Sequence, residues 1–135
     1  MKRFEITLLI RHPNLDPAEI TAELGLQPYQ SWKAGSPRVT PKGAKLSGLH
    51  KDSFWNYVYQ YKRRTNFGQA IAKVLDQLSP HKTLFDRLHK GGGASLLFLK
   101  LPGDTSIGDD LSWETLKKFV NLKIAFSVET FPDMP

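Results

Sequence analysis

The residues best suited to acid–base or metal chemistry near neutral pH are four histidines: His12, His50, His81 and His89. None stands in a His-Glu-x-x-His arrangement or a comparable ligand spacing. His81 and His89 are eight apart and share a helical face only if a helix runs past Pro80. No carboxylate set completes a site there, so they read as ordinary surface or turn histidines. Ser31, Ser47 and Ser53 lack the base, orienting acid and strand–elbow–helix context of a serine nucleophile. The chain has no cysteine, which removes disulfides, thiolate nucleophiles and zinc–cysteine sites. Asp109-Asp110 has the chemistry to bind a cation, but the pair leads into Ser112 and reads more simply as a solvated turn. Gly91-Gly92-Gly93 follows a helical segment and precedes a strand, whereas phosphate cradles run from strand to helix N-terminus. No catalytic or metal constellation emerges and no cofactor is implied. The residues lean away from an enzyme.

Binding is better represented. Ser31-Trp32-Lys33-Ala34-Gly35 offers a tryptophan for stacking beside a cation. In the alternative reading, Trp32 covers a sheet edge and Gly35 turns the chain into the next segment. The net charge of +6 is unevenly spread: Lys33, Arg38, Lys42, Lys45, Lys51, Lys62, Arg63 and Arg64 face one acid, Asp52, across residues 31–64. Such asymmetry points to an acidic partner, against the simpler reading of a solvated charged loop. Trp32, Lys33, Arg38, Lys42, Lys45, Lys62, Arg63 and Arg64 are therefore the candidate binding residues. Strand-like residues 53–61 put Trp55, Tyr57, Tyr59 and Tyr61 on one face, an arrangement that RNA-binding sheets use for base stacking. The opposite face carries Asn56 and Gln60, which would need partners if buried, so burying the Trp/Tyr face is cheaper. Nucleic-acid binding remains the second reading. A small-ligand or enzymatic role near Trp32 and Asp109-Asp110 is the third.

The elements that position these residues follow from periodicity. Phe4, Ile6, Leu8 and Ile10 alternate with Glu5, Thr7, Leu9 and Arg11, as in a half-buried strand. Asp16 caps a helix with Pro17 at its first position, Glu19 gives a capping-box-like pattern, and Gly25 supplies a left-handed stop. A short strand follows within 27–33, and residues 34–51 form a long irregular stretch. After strand 53–61, Asn66 caps a helix with Ile71, Val74, Leu75 and Leu78 on one stripe. Ser79-Pro80 either kinks that helix or restarts it. Residues 94–101 form a central strand, apolar on both faces. A second helix block follows at 111–122, repeating the roles of 15–26: caps Asp16 and Ser112, apolar pairs Ile20/Leu24 and Leu116/Val120, stops Gly25 and Asn121, and closing Leu26 and Leu122. Alternation of Leu122, Ile124, Phe126 and Val128 makes the last strand. The order βαβ-βα-βαβ, with each repeated block giving a parallel or near-parallel pair, predicts an α+β two-layer sandwich. Its sheet is mostly antiparallel and ferredoxin-like in flavour, in one domain over residues 1–135. The Met-Lys-Arg start runs into a strand containing Glu5, and no apolar run approaches the ~20 residues of a membrane span. A cytoplasmic protein is expected.

Leu15-Asp-Pro-Ala-Glu-Ile-Thr-Ala-Glu-Leu-Gly-Leu-Gln-Pro28, then Ser31-Trp32-Lys33-Ala34-Gly35, resembles the bacterial domain-of-unknown-function family numbered 4279. Trp55, the Leu75…Leu78-Ser-Pro80 helix end and the Leu116…Phe126-Ser-Val-Glu129 segment fit the same resemblance. It covers essentially the whole chain and implies a small bacterial α+β domain, with no reaction, cofactor or catalytic residue to carry over. The leading expectation is a non-enzymatic protein-binding module, of immunity type, contacting an acidic protein partner through the 34–51 loop and its basic neighbours. The sequence leaves the oligomeric state open.

Overall fold

Strict alternation makes β1, Arg3–His12, a strand with one dry face: Phe4, Ile6, Leu8 and Ile10 are all almost completely buried. The structure, a computed structural model, describes residues 3–62, 65–103 and 107–132, the side chains of Arg3 and Lys62 excepted. After β1 come α1 (Pro17–Leu24), β2 (Gln30–Trp32), β3 (Pro37–Val39), β4 (Lys45–Leu49) and β5 (Ser53–Lys62). Then follow α2 (Phe67–Leu78), a 3₁₀ turn (Ser79–His81), α3 (Lys82–Lys90), β6 (Ala94–Pro102), α4 (Trp113–Leu122) and β7 (Ile124–Phe131). Five strands form a mixed sheet in the order β2-β5-β1-β6-β7, parallel only between β6 and β7. The fold is α+β, with the helices on one face of the sheet. The second repeated block forms its expected parallel pair. The first does not: β1 and β2 run the same way, but β5 lies between them. All ten residues of β1 pair with β5, a ladder that three-residue β2 cannot match.

The aromatic strand turns its Trp/Tyr face inward. Trp55 is fully buried, Tyr57, Tyr59 and Tyr61 pack against the core, and Tyr61 stacks on Phe4 at 4.9 Å. Burial pushes the Tyr59 and Tyr61 phenols above their usual range. On the other face Asn56 accepts from the Gln30 N–H at 2.9 Å and Gln60 donates to Glu5 at 3.2 Å. The amides are satisfied at the surface, so the expected cheaper arrangement is the one adopted.

Four further readings are corrected. Residues 34–51 are not irregular: β3 and β4 form a separate two-stranded hairpin, which the expected element order omitted. It is exposed on both faces, so no hydrophobic alternation marked it. The second helix block also packs differently from the first. Leu116 and Val120 are exposed, and α4 buries Thr115, Phe119 and Leu122. Phe119 offers more apolar area than its valine neighbour and packs on Phe126 at 5.2 Å, which sets the rotation of the helix. The left-handed stop is Lys123 (φ 55°), two residues beyond the expected Asn121. Finally, Glu19 does not close a capping box with Asp16. The Asp16 carboxylate accepts from Ala18 N at 3.0 Å, while Glu19 lies 3.5 Å from Arg87 of α3. At the Ser79-Pro80 fork, the chain makes the 3₁₀ turn and restarts as α3.

Asp86 on α3 accepts from Lys82 at 2.8 Å and from Lys123, the C-cap of α4, at 2.9 Å. These bonds, Lys82 first, draw its carboxyl from the ordinary 3.8 down to about 2. The folded pKa is the lower one, so the stability this group adds is complete above the ordinary value and is lost as pH falls toward the folded one. Asp86→Asn is expected to lower the melting temperature near neutral pH, with the gap to wild type closing between about pH 4 and pH 2. Thermal melts across that range check it, and a gap that stays constant would contradict it.

Candidate functional site

The β3–β4 hairpin leaves the main sheet between the end of β2 and the start of β5. Its turn is Thr40-Pro41-Lys42-Gly43-Ala44, closed by Thr40 N to Ala44 O at 2.8 Å and by Ala44 N to the Thr40 hydroxyl at 3.0 Å. Gly43 adopts φ 88°, which a side chain would resist. Pro37 pairs with Leu49 and Val39 with Lys45, with an irregularity between. Arg38 lies back over the hairpin, donating to Ser47 O at 3.1 Å. Every residue of both strands is exposed, including Val39 at 53%, Leu46 at 45% and Leu49 at 59%.

A stack of rings fixes the base of the hairpin. Trp32 stacks on His50 at 4.3 Å and on Phe54 at 4.5 Å, and the Arg11 guanidinium sits over Phe54 at 4.8 Å. Arg11 in turn faces Asp52 at 3.5 Å. Gly35 N donates to His50 O, His50 N to Ser36 O, and Ala34 N to the buried Ser53 hydroxyl at 2.9 Å. Trp32 lies on the edge strand β2 within this stack, and Gly35, at φ 85°, turns the chain away. Its indole N–H is buried without an acceptor, an arrangement that costs about 1–3 kcal/mol and has to be offset by the stack.

Lys33, Arg38, Lys42 and Lys45 are all exposed on this hairpin or at its base, and no carboxylate among the described residues pairs with them. Lys62 stands apart, at the other end of β5, roughly 30 Å of strand from Ser53. Arg63 and Arg64 lie outside the described residues. The candidate cations thus do not make one patch. His50, Phe54 and Arg11 were missed because their partners are distant in sequence. The Pro41-Lys42-Gly43 turn flanked by Val39 and Leu46 was the signal that a hairpin was present.

The other chemical candidates have structural jobs. His12 Nδ1 accepts from the backbone N–H groups of Asn14 and Leu15 at 3.1 and 3.0 Å, which assigns the ring proton of the neutral form to Nε2. His81 bonds Glu23 at 2.8 Å. Asp109 caps α2 from 41 residues away, accepting from Gly68 N at 2.8 Å, while the predicted cap Asn66 makes no side-chain cap bond. Among the described residues no cluster of His, Asp and Glu is arranged to hold a metal. The face of the sheet opposite the helices carries a depression of about 650 Å³ lined by Glu5, Thr7, Tyr29, Asn56, Gln60 and Lys100. Its charges are largely internally matched, with Lys100 3.7 Å from Glu5 and over the Phe131 ring.

A mixed five-stranded sheet with helices on one face and an exposed basic hairpin defines a small α+β domain without a recognisable catalytic centre among the described residues. The chain belongs to the family described as domain of unknown function DUF4279, whose family model matches residues 2–132. No curated protein and no solved structure matches it. Among the described residues no helix is long and apolar enough to cross a membrane.

Proposed function

We propose that the chain is a non-enzymatic, cytoplasmic protein-binding module that docks its β3–β4 hairpin on an acidic surface of a partner protein. The observation that carries this reading is the hairpin itself: Val39, Leu46 and Leu49 stand exposed among Lys33, Arg38, Lys42 and Lys45. A two-stranded hairpin is marginal alone, yet this one is held at its base by the Trp32 stack rather than by packing along its length. That leaves its apolar side chains free for a partner. Each is worth about 1.5–3 kcal/mol if fully buried, so they supply affinity while the cations supply steering and sign selectivity. An immunity-type role, in which the partner is a toxin domain held inactive, fits a small module of this kind. The strand order β2-β5-β1-β6 supports the ferredoxin-like reading of the fold, with α4 and β7 appended.

Co-purification from the native cell tests the docking reading. Wild type is expected to retain an acidic partner that the triple variant Arg38→Glu, Lys42→Glu, Lys45→Glu releases, with both proteins giving the same near-ultraviolet circular dichroism. A partner held equally well by the reversed hairpin would sink the reading. Binding of single-stranded RNA with a steep salt slope would instead favour the nucleic-acid alternative. The inward aromatics of β5 and the separation of Lys62 from the hairpin weigh against that outcome.

A further inference from the structure

A second group of exposed apolar side chains, besides the hairpin, lies at the other end of the sheet from β2. On α4, Trp113 is 70%, Leu116 48% and Val120 74% exposed, at spacing i, i+3, i+7. At 100° per residue this stripe is roughly opposite Lys118, whose ammonium pairs with Asp76 on α2. The stripe therefore faces away from α2, past the β7 edge. Phe126 of β7 touches Phe119 of α4, and two residues further on Val128 shows the same face with half its surface exposed. Among the described residues no strand pairs with the far side of β7. This edge is eight residues long and contains none of the lysines, prolines or bulges that usually blunt an edge.

We propose that two copies of this chain associate about a two-fold axis through β7, pairing the two strands antiparallel and packing the two α4 stripes together. An axis normal to the sheet keeps the helices of both copies on one face, so a single operation pairs the open edges and covers both stripes. A second copy is the occupant because it brings an edge strand and an apolar helix in the geometry this surface presents. With Phe126 on the axis, Ile124 of one copy stands opposite Val128 of the other. Glu129 is the one ionisable side chain in β7, and this register keeps the two carboxylates apart. The four exposed side chains offer roughly 400 Å² per copy, about half of the ~800 Å² per partner of a standard stable interface, before the strand edges are added.

Sedimentation velocity of the full chain over a concentration series is the test. A species of twice the chain mass is expected, and Val120→Glu, at an exposed position, should weaken association roughly tenfold or more. Pairing has its own check, since the chain has no native cysteine. A chain carrying both Ala125→Cys and Ser127→Cys should oxidise to a covalent dimer. A monomer at every concentration overturns the proposal. So does a dimer that Val120→Glu and Trp113→Ser leave unchanged, since its interface lies elsewhere.

Discussion

Trp55→Ala is expected to destabilise the protein by about 3–5 kcal/mol, read as a lower urea midpoint with an unchanged slope. Trp55 is the largest fully buried side chain, and it sits where β5 meets α1. Its indole N–H donates to the Thr21 hydroxyl at 3.0 Å. α1 fully buries only Pro17 and Ile20 along its eight residues, its other ties being the half-buried Leu24 and the surface pairs Glu19–Arg87 and Glu23–His81. Removing the indole thus opens a cavity and releases the helix together. Against a total stability of about 5–15 kcal/mol, such a loss leaves a marginal fold. Trp55→Phe separates the two effects: it keeps most of the volume and drops the bond, so a cost of about 1–2 kcal/mol is expected. Amide exchange in α1 should then rise more than exchange in β1. A Trp55→Ala variant as stable as wild type would mean the core near α1 closes without it.

The second large effect is expected at Gly93. A Cβ there would lie 2.8 Å from Arg11 O, 2.8 Å from Leu88 O and 2.9 Å from the His12 ring. Two of these neighbours are backbone, one in β1 and one in α3, so neither swings aside. Overpacking of this kind costs about 1–3 kcal/mol, and Gly93→Ala should fall near the top of that range. Gly91 meets the same ring, with His12 Nε2 at 2.5 Å from its would-be Cβ. Gly108→Ala is the control, because nothing lies within 4 Å of its Cβ position. It should be neutral, or stabilise by roughly 0.4–1 kcal/mol through the unfolded chain. Parallel urea titrations of the two variants decide the matter, and equal midpoints would show that the tri-glycine turn yields.

These two positions also show where the sequence was legible. Trp55 announced a buried strand face because Asn56 and Gln60 on the other side excluded the alternative. The N-caps Asp16 and Ser112 were readable because capping is local chemistry, and both cap as expected. The glycines at 91–93 could be read only as a stop: the reason for them is His12, some 80 residues away. Asp109 as the cap of α2 is hidden in the same way. The apolar pair Leu116/Val120 misled because its spacing suits a core face, and only the position of Phe126 reveals that Phe119 takes that face instead. At the hairpin the charges were visible, but the ring stack that aims them joins three separate segments. The same charges could not be sorted into near and far without knowing that β5 carries Lys62 to the opposite end of the sheet.

The middle position of β1 sets the order in which the protein can form. Glu5 faces Gln60 on one side and Lys100 on the other, so β1 finds its first neighbour only 40 residues after it ends, in β5, and its second only in β6. Local pairing cannot shelter it, because both of its ladders are long-range. During synthesis this half-apolar strand waits with both hydrogen-bonding edges open until β5 is made and with one open until β6 is made, the condition in which nascent chains recruit chaperones or aggregate. Completion of β6 closes the second edge, so the central strand of the sheet is the one whose pairing finishes late.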